Sequence, residues 1–196
     1  MRKRHLIAAA AAAIALPIAA ALPAQSHGFI NLPPSRSALC GANAVPWDCG
    51  DIQWEPQSVE GPKGFPSRGP ADGTICAGGD GRWAPLDNPR NGAWPTTKVT
   101  AGQQLNFTWE IEARHSTSYF KYYLTKPGYN ASQPITRASL DLTPFLTVPY
   151  NGRQPAATTV HTATLPSGRT GHQVVVAVWD VADTGNAFYS CTDVQF

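Results

Sequence analysis

The chain has 196 residues and a formal net charge of +2, with 15 Lys and Arg against 13 Asp and Glu. That near-neutral balance excludes the basic surface a nucleic-acid binder needs. A hydrophobic content of 42% excludes a disordered chain, and 17 Gly with 18 Pro favour short strands and loops over long helices.

The first element is a leader. Arg2, Lys3 and Arg4 precede an Ala-rich apolar run over 6–22, broken by Pro17, and Ala24-Gln25-Ser26 ends it in small residues. This is the layout of a secretory signal, and the run is short for a bilayer span. Residues 1–26 are therefore expected to be removed, giving a secreted, extracellular product with no membrane anchor. Three basic residues leave with them, so 12 basic and 13 acidic side chains remain. Cleavage after Ser26 makes His27 the first residue. Its α-amine and imidazole then sit on one residue and can chelate one ion. Phe29, Leu32 and Pro33-Pro34 suggest that this terminus is tied into the fold.

Residues 27–43 read as an extended segment and a turn. Residues 44–97 are rich in Gly, Pro, Asp and Asn and are far longer than a routine connection. They are either a disordered insert or an ordered subregion. Trp47, Trp54, Phe65, Trp83 and Trp94 favour order, with short helical turns expected near 58–61 and 85–88. After Gly102 the pattern sharpens. Leu105, Phe107, Trp109 and Ile111 alternate with polar residues, as in a strand with one buried face. Further strands are expected at 119–125, 138–142, 158–165, 174–179 and 188–194, separated by turn residues. Such short strands point to an all-β, antiparallel β-sandwich with 27–196 as one domain. Four Cys in an exported chain favour disulfides. Three pairings are possible. Closure of Cys40 on Cys49 is short, and the remaining pair, Cys76 with Cys191, would tie the long subregion to the last strand.

Four His remain after cleavage: His27, His115, His161 and His172. His161 reads as a solvent-facing residue in mid-strand and His172 as an exposed turn residue. His115 follows the alternating strand and lies at its end, where a rigid edge can hold a ligand. The amine and ring of His27 with the ring of His115 would give three nitrogen donors. Such a set suits copper, whereas catalytic zinc uses three side-chain ligands.

His27-Gly28 is followed by Pro33 and Ser35-Arg36, then by the run Trp54-Glu55-Pro56-Gln57-Ser58-Val59-Glu60-Gly61. Gly69-Pro70-Ala71-Asp72-Gly73, Ala113-Arg114-His115-Ser116-Thr117, Tyr123-Leu124-Thr125-Lys126-Pro127 and Ala131-Ser132-Gln133-Pro134 come next. The tail runs from Trp179-Asp180-Val181 through Asp183-Thr184-Gly185-Asn186 to Phe188-Tyr189. As an ordered set over nearly all of 27–196, these motifs resemble the bacterial lytic polysaccharide monooxygenases of auxiliary activity family 10, also called family-33 chitin-binding proteins.

The resemblance implies an immunoglobulin- or fibronectin-III-like sandwich with a loop-and-short-helix insertion, here residues 44–97, forming a flat substrate face. It implies one copper ion per chain, cycling between Cu(I) and Cu(II), held by His27 and His115. Phe188 would fill the axial side, Ala113 would shape the opposite approach, and Glu60 would lie close to the ion. Trp54, Glu55, Gln57, Ser58, Glu112, Asp183 and Asn186 would serve the polymer-binding face, with Trp54 stacking on sugar. The expected activity is oxidative cleavage of crystalline chitin at C1, by a monomer that uses oxygen or hydrogen peroxide and an external electron donor. A cellulose-active enzyme, a non-catalytic chitin-binding module and a copper carrier are the rivals.

Two departures stand out. Glu112 occupies a position where chitin-active relatives often have Thr. Phe145 and Thr162 stand where the best-known chitin-active pattern has its second Cys pair, so Cys76 with Cys191 instead resembles the actinobacterial-type arrangement.

Overall fold

A computed structural model describes residues 27–196. The leader reading concerns 1–26 and lies outside the described residues. The strands are β1 (His27–Leu32), β2 (Glu60–Pro62), β3 (Thr97–Lys98), β4 (Gln104–Ala113), β5 (Thr117–Leu124), β6 (Leu146–Pro149), β7 (Thr158–Thr164), β8 (His172–Val181) and β9 (Asn186–Gln195), with one helix, α1 (Arg36–Gly41). They form a β-sandwich. The smaller sheet has the order β1-β4-β7, and the larger β2-β9-β8-β5-β6 with β3 added beside β9. All pairings are antiparallel except β3 with β9. Among the described residues, no helix is long and apolar enough to cross a membrane.

The sequence pattern explains these layers. β4 buries Phe107, Trp109 and Ile111 and turns its alternate residues outward. Between the sheets, Trp109 packs on Phe120 and Trp179, and Trp179 on Phe188. The other face of the large sheet is covered by the 44–97 subregion, where Ile52, Phe65, Ile75, Trp83, Leu86 and Trp94 pack with Val176, Val178 and Tyr189. That subregion is ordered. Its cover also explains why β8 reads as a continuous apolar run, since a strand buried on both faces loses the polar alternation.

Two disulfides join Cys40 to Cys49 and Cys76 to Cys191, across 9 and 115 residues. Helix α1 starts where the Ser35 hydroxyl accepts the Ala38 N–H. It carries Arg36 into the interior, where the guanidinium meets both Asp193 carboxylate oxygens at 2.7 and 3.0 Å and the Leu86 carbonyl at 2.9 Å. His172 reaches the same carboxylate at 2.7 Å. Burial opposes both charges of the Arg36–Asp193 pair, but their attraction holds Asp193 below the usual carboxylate range and Arg36 above its own.

Several local expectations change. Residues 58–61 contain no helical turn; Glu60 opens β2, which pairs with Phe188 of β9. The turn expected at 85–88 is a 3-10 helix at Gly81–Leu86, and the first turn includes helix α1. Residues 138–142 are not a strand but a 3-10 turn, Arg137–Ser139, capped by Thr136, followed by a single bridge from Leu140 to Thr125. β6 was not foreseen. His172 begins β8 rather than standing free in a turn.

His161 is buried at 6% exposure, while Val160 is the exposed neighbour at 53%. Ala163 and Leu165 share the inward face of β7. Hydrogen bonds compensate the imidazole: Nδ1 lies 2.6 Å from the Tyr122 hydroxyl and Nε2 3.3 Å from that of Tyr150.

Two predictions follow from this core. In the chain-entropy account, removing the 115-residue closure costs about 5 kcal/mol and the nine-residue closure about 2.6 kcal/mol. Cys76→Ala with Cys191→Ala should therefore lower the urea midpoint more than Cys40→Ala with Cys49→Ala; the reverse order would contradict the account. Burial also lowers the pKa of His161 to about 4 from 6.5. Below pH 6.5 the unfolded chain takes up a proton that the native chain refuses, so this group's stabilisation is lost as pH falls from 6.5 toward 4, by about 3 kcal/mol. Asp87, raised to about 6 by burial, slopes the other way. Urea melts from pH 4 to 7 should therefore separate the two, with His161→Gln removing the acid-side loss and leaving the Asp87 slope. Parallel curves for the two proteins would refute the assignment.

Candidate metal and substrate site

One end of the sandwich gathers residues from four distant segments. The ladder between β1 and β4 sets His27 opposite Ala113 and Gly28 opposite Ile111, with an irregularity between the two pairs. His115 follows two residues after Ala113. The ladder thus brings the end of β1 to the end of β4. Gly28 is held there by packing: a Cβ at this position would lie 3.0 Å from the Trp179 ring and 3.1 Å from the Glu110 carbonyl oxygen. Its N–H donates to the Gln57 carbonyl at 2.9 Å, tying β1 to the 44–97 subregion.

β2 brings Glu60 alongside Phe188. It can do so because Gly61 crosses backbone against backbone with Gly78; a Cβ on Gly61 would lie 1.9 Å from the Gly78 carbonyl oxygen. Phe188 is fully buried and leans on Trp179 at 5.0 Å between ring centres. The loop between β8 and β9 supplies two polar contacts. Asp183 Oδ1 lies 3.4 Å from His115 Nδ1, and Asn186 Nδ2 donates to Glu60 Oε1 at 2.8 Å.

His27, Glu55, Ser58, Glu60 and Asn186 line one depression of about 360 Å³. Trp54 stands clear of the surface at 75% exposure, fixed at the end of the 3-10 helix Gly50–Gln53. Glu112 is exposed on β4, and Asp183 is exposed beside His115. Gln57 contributes its backbone carbonyl to Gly28.

Three residues near this site were not anticipated. Asp80 and Arg82 also line the depression, together with Trp83. Lys63 clasps the β8–β9 loop: its ammonium donates to the Val181 carbonyl at 3.1 Å and the Thr184 carbonyl at 2.5 Å, and its backbone N–H to the Gly185 carbonyl at 3.1 Å. The Lys63 side-chain contacts span 118 and 121 residues and those of Arg82 span 31 and 27, so no local pattern announces them.

The donor chemistry fits copper. Among the described residues, no three His, Cys, Asp or Glu side chains group as a metal site. The β1–β4 ladder brings the strand ends that carry His27 and His115 together, and cleavage before His27 would add an amine nitrogen that side chains alone do not provide. A nitrogen-only set of this kind favours copper among the first-row ions.

Residues 27–194 match the family described as "Lytic polysaccharide mono-oxygenase, cellulose-degrading". The structure of an AA10 lytic polysaccharide monooxygenase from Streptomyces lividans is 60% identical with a TM-score of 0.84, covering 87% of this chain and all of that one. Bacillus amyloliquefaciens CBM33 in complex with Cu(I) is 35% identical with a TM-score of 0.79, covering 86% of this chain and 99% of that one. GlcNAc-binding protein A of Shewanella oneidensis is 43% identical over 175 residues, 88% of this chain and 36% of that protein. The chain thus spans about a third of the length of that curated relative.

The Lys63 clasp generates a prediction of its own. Lys63→Met keeps the aliphatic stem and removes the ammonium. Amide hydrogen exchange at 182–186 should rise at least tenfold, with little change in the β4 and β5 amides. Unchanged exchange in that loop would show that the backbone bond to Gly185 suffices.

Proposed function

The chain belongs to the auxiliary activity family 10 lytic polysaccharide monooxygenases, and on that premise we propose that its mature form is a secreted, monomeric copper enzyme that cleaves crystalline chitin oxidatively at C1. The domain spans 27–196, with 44–97 contributing to the substrate face. One copper ion is held by the amine and ring of His27 and by the ring of His115. When bound, copper supplies the one-electron chemistry that activates oxygen or hydrogen peroxide, fed by an external electron donor.

The surrounding residues have separate tasks. Asp183 receives the Nδ1 proton of His115, which leaves the Nε2 lone pair for the metal. Asn186 occupies one oxygen of Glu60 and leaves the other to take or give a proton at the reacting centre. Phe188 closes the inner side against water, and Ala113 keeps the opposite approach open. Trp54 offers a ring for stacking on a sugar face. Glu55, Gln57, Ser58, Glu112, Asp183 and Asn186 complete the polymer-facing set. The outcome is hydroxylation at C1, chain scission and an aldonic acid end.

The observation that supports this reading is the β1–β4 register, which sets His27 opposite Ala113, two residues before His115; Glu60 shares a depression with His27, and Asp183 lies beside His115. Chitin is favoured by the name of the GlcNAc-binding relatives. Cellulose is the second reading, favoured by the family's own description.

Mass spectrometry of soluble products decides between them. Mature, copper-loaded protein with ascorbate should release even-numbered C1-oxidised oligosaccharides from β-chitin and little from cellulose. Oxidised products from cellulose alone would select the second reading, and purely hydrolytic products would defeat both. His115→Ala should lower copper affinity in calorimetry more than a hundredfold and abolish oxidation, while the thermal midpoint of the apo-protein moves by only a few degrees.

A further inference from the structure

The chain between β5 and β6 encloses a second cavity, at the end of the sandwich away from His115. β5 starts at Thr117, two residues after His115, and its eight residues span roughly 24 Å. Beyond its far end the Lys126 N–H donates to the Ser139 carbonyl at 2.8 Å, which closes 126–139 into a compact loop. Arg137 fastens this loop to the 44–97 subregion: Nε donates to the Pro66 carbonyl at 2.7 Å, and Nη2 to the Arg68 and Pro70 carbonyls at 2.9 and 2.8 Å. The Gly73 N–H donates to the Ile135 carbonyl at 2.9 Å and adds a second tie. Between the loop and Asp72-Gly73 lies a cavity of about 580 Å³, within the range of small-ligand sites. Its walls include Lys126-Pro127 and Gln133-Pro134, motif residues to which the oxidative reading gives no task.

We propose that this cavity is a second carbohydrate site, which takes one gluco-configured pyranose ring of a short soluble oligosaccharide. It goes beyond the oxidative reading and shares no residue with it. The wall combines apolar rings with unspent polar groups. Pro127, Pro134 and the half-buried Tyr129 supply the rings; the Tyr129 hydroxyl is already given to the Gln133 carbonyl at 2.9 Å. Lys126 Nζ spends one donor on the Ala138 carbonyl at 2.9 Å and keeps two. Asp72 takes both Arg137 bonds, at 3.0 and 2.7 Å, on Oδ1 and keeps Oδ2. Asn130 Oδ1 accepts the Ser132 N–H at 3.0 Å, which leaves its amide donors, and the exposed Gln133 amide is unspent. A hydrocarbon guest would strand these polar groups. An anion meets Asp72 and a cation meets Lys126, whereas a neutral guest meets no like charge. A gluco-configured ring carries its hydroxyls around its edge and C–H groups on its faces, so it satisfies both kinds of wall. Placed at the opposite end from His115, the cavity stays open to solvent while the proposed polymer face lies on a solid.

Nuclear magnetic resonance titration of the isotope-labelled, copper-loaded mature protein, without reductant, tests this. The two probes are diacetylchitobiose and cellobiose, added separately. Amides at 72–73 and 126–139 should shift saturably with at least one of them, in the millimolar range and independently of salt. The disaccharide that saturates at the lower concentration identifies which polymer supplies the guest. Gln133→Ala removes an exposed amide that holds nothing in the fold and should weaken binding about fivefold. Ala138→Leu places a larger side chain in the cavity wall and should weaken it more than tenfold. Trp54→Ala, at the other end of the molecule, should leave the loop shifts unchanged, and circular dichroism melts should match the parent for all three variants. Absence of saturable shifts in this loop with both disaccharides, loss of them in Trp54→Ala, or full binding by Ala138→Leu would each overturn the site. A protein that oxidises chitin or cellulose yet shows no loop shifts loses this site alone. One that binds here and oxidises neither polymer keeps it and loses the copper-enzyme reading.

Discussion

The antiparallel ladder between β1 and β4 determines where His27 can lie. β1 is short, and a short strand slips easily unless its side chains resist. Here Ile30 is buried against the sandwich core, and a shift by one residue would turn it to solvent. That exposure would cost about 1.5–3 kcal/mol. Gly28 adds a steric lock, since the Trp179 ring and the Glu110 carbonyl leave no room for a side chain there. The register therefore follows from core packing, and the position of His27 opposite Ala113 follows from the register. His27 is fixed in place because its neighbours along β1 belong to the core.

The remaining parts of the site are held by the larger sheet. β8 and β9 are buried on both faces, by the inter-sheet aromatics on one side and by the 44–97 subregion on the other. The loop between them carries Asp183 and Asn186, and Lys63 fastens it from the end of β2. β2 in turn holds Glu60. One short strand thus sets both the carboxylate and the loop that supplies its hydrogen-bond donor. The Gly61–Gly78 crossing packs β2 directly against another part of the 44–97 subregion, so Glu60 and the loops of that subregion share one rigid support. Positioning of this kind holds the side chains of the site in a fixed relation to one another.

Much of this was legible where one segment's own periodicity decides the outcome. β4 shows its buried face in the alternation of Phe107, Trp109 and Ile111, and the turn residues mark most strand ends. β7 shows where that logic stops. Val160 and His161 lie on opposite faces, as read, but the direction reverses. Ala163 and Leu165 were the better guide to the inward side, and two tyrosine hydroxyls make burial of the imidazole tolerable. Glu60 was misread locally because its strand partner, Phe188, is far along the chain. His27 and His115 are singled out by the expected cleavage point, the strand end and the motif set, and the ladder brings their two strand ends together. Lys63 and Arg82 were not, because their significance comes from carbonyls and carboxylates that only the fold brings to them.

The distribution of charge accounts for the kind of partner the face can accept. Elsewhere three arginines are paired internally, Arg36 with Asp193, Arg137 with Asp72 and Arg169 with Asp141. Around His27 the balance tilts, since Glu55, Glu60 and Asp80 line the depression with only Arg82 opposing them. An acidic rim favours a cation among nitrogen donors and disfavours a polyanion. It costs a neutral polysaccharide nothing in Coulomb energy, and its carboxylates accept hydrogen bonds from sugar hydroxyls and amides. The pairing of Arg82 with Glu55 and Asp51 then introduces a donor at one edge of that rim without making the face basic. The residues around His27 therefore offer several hydrogen-bond acceptors and one guanidinium donor on the same face.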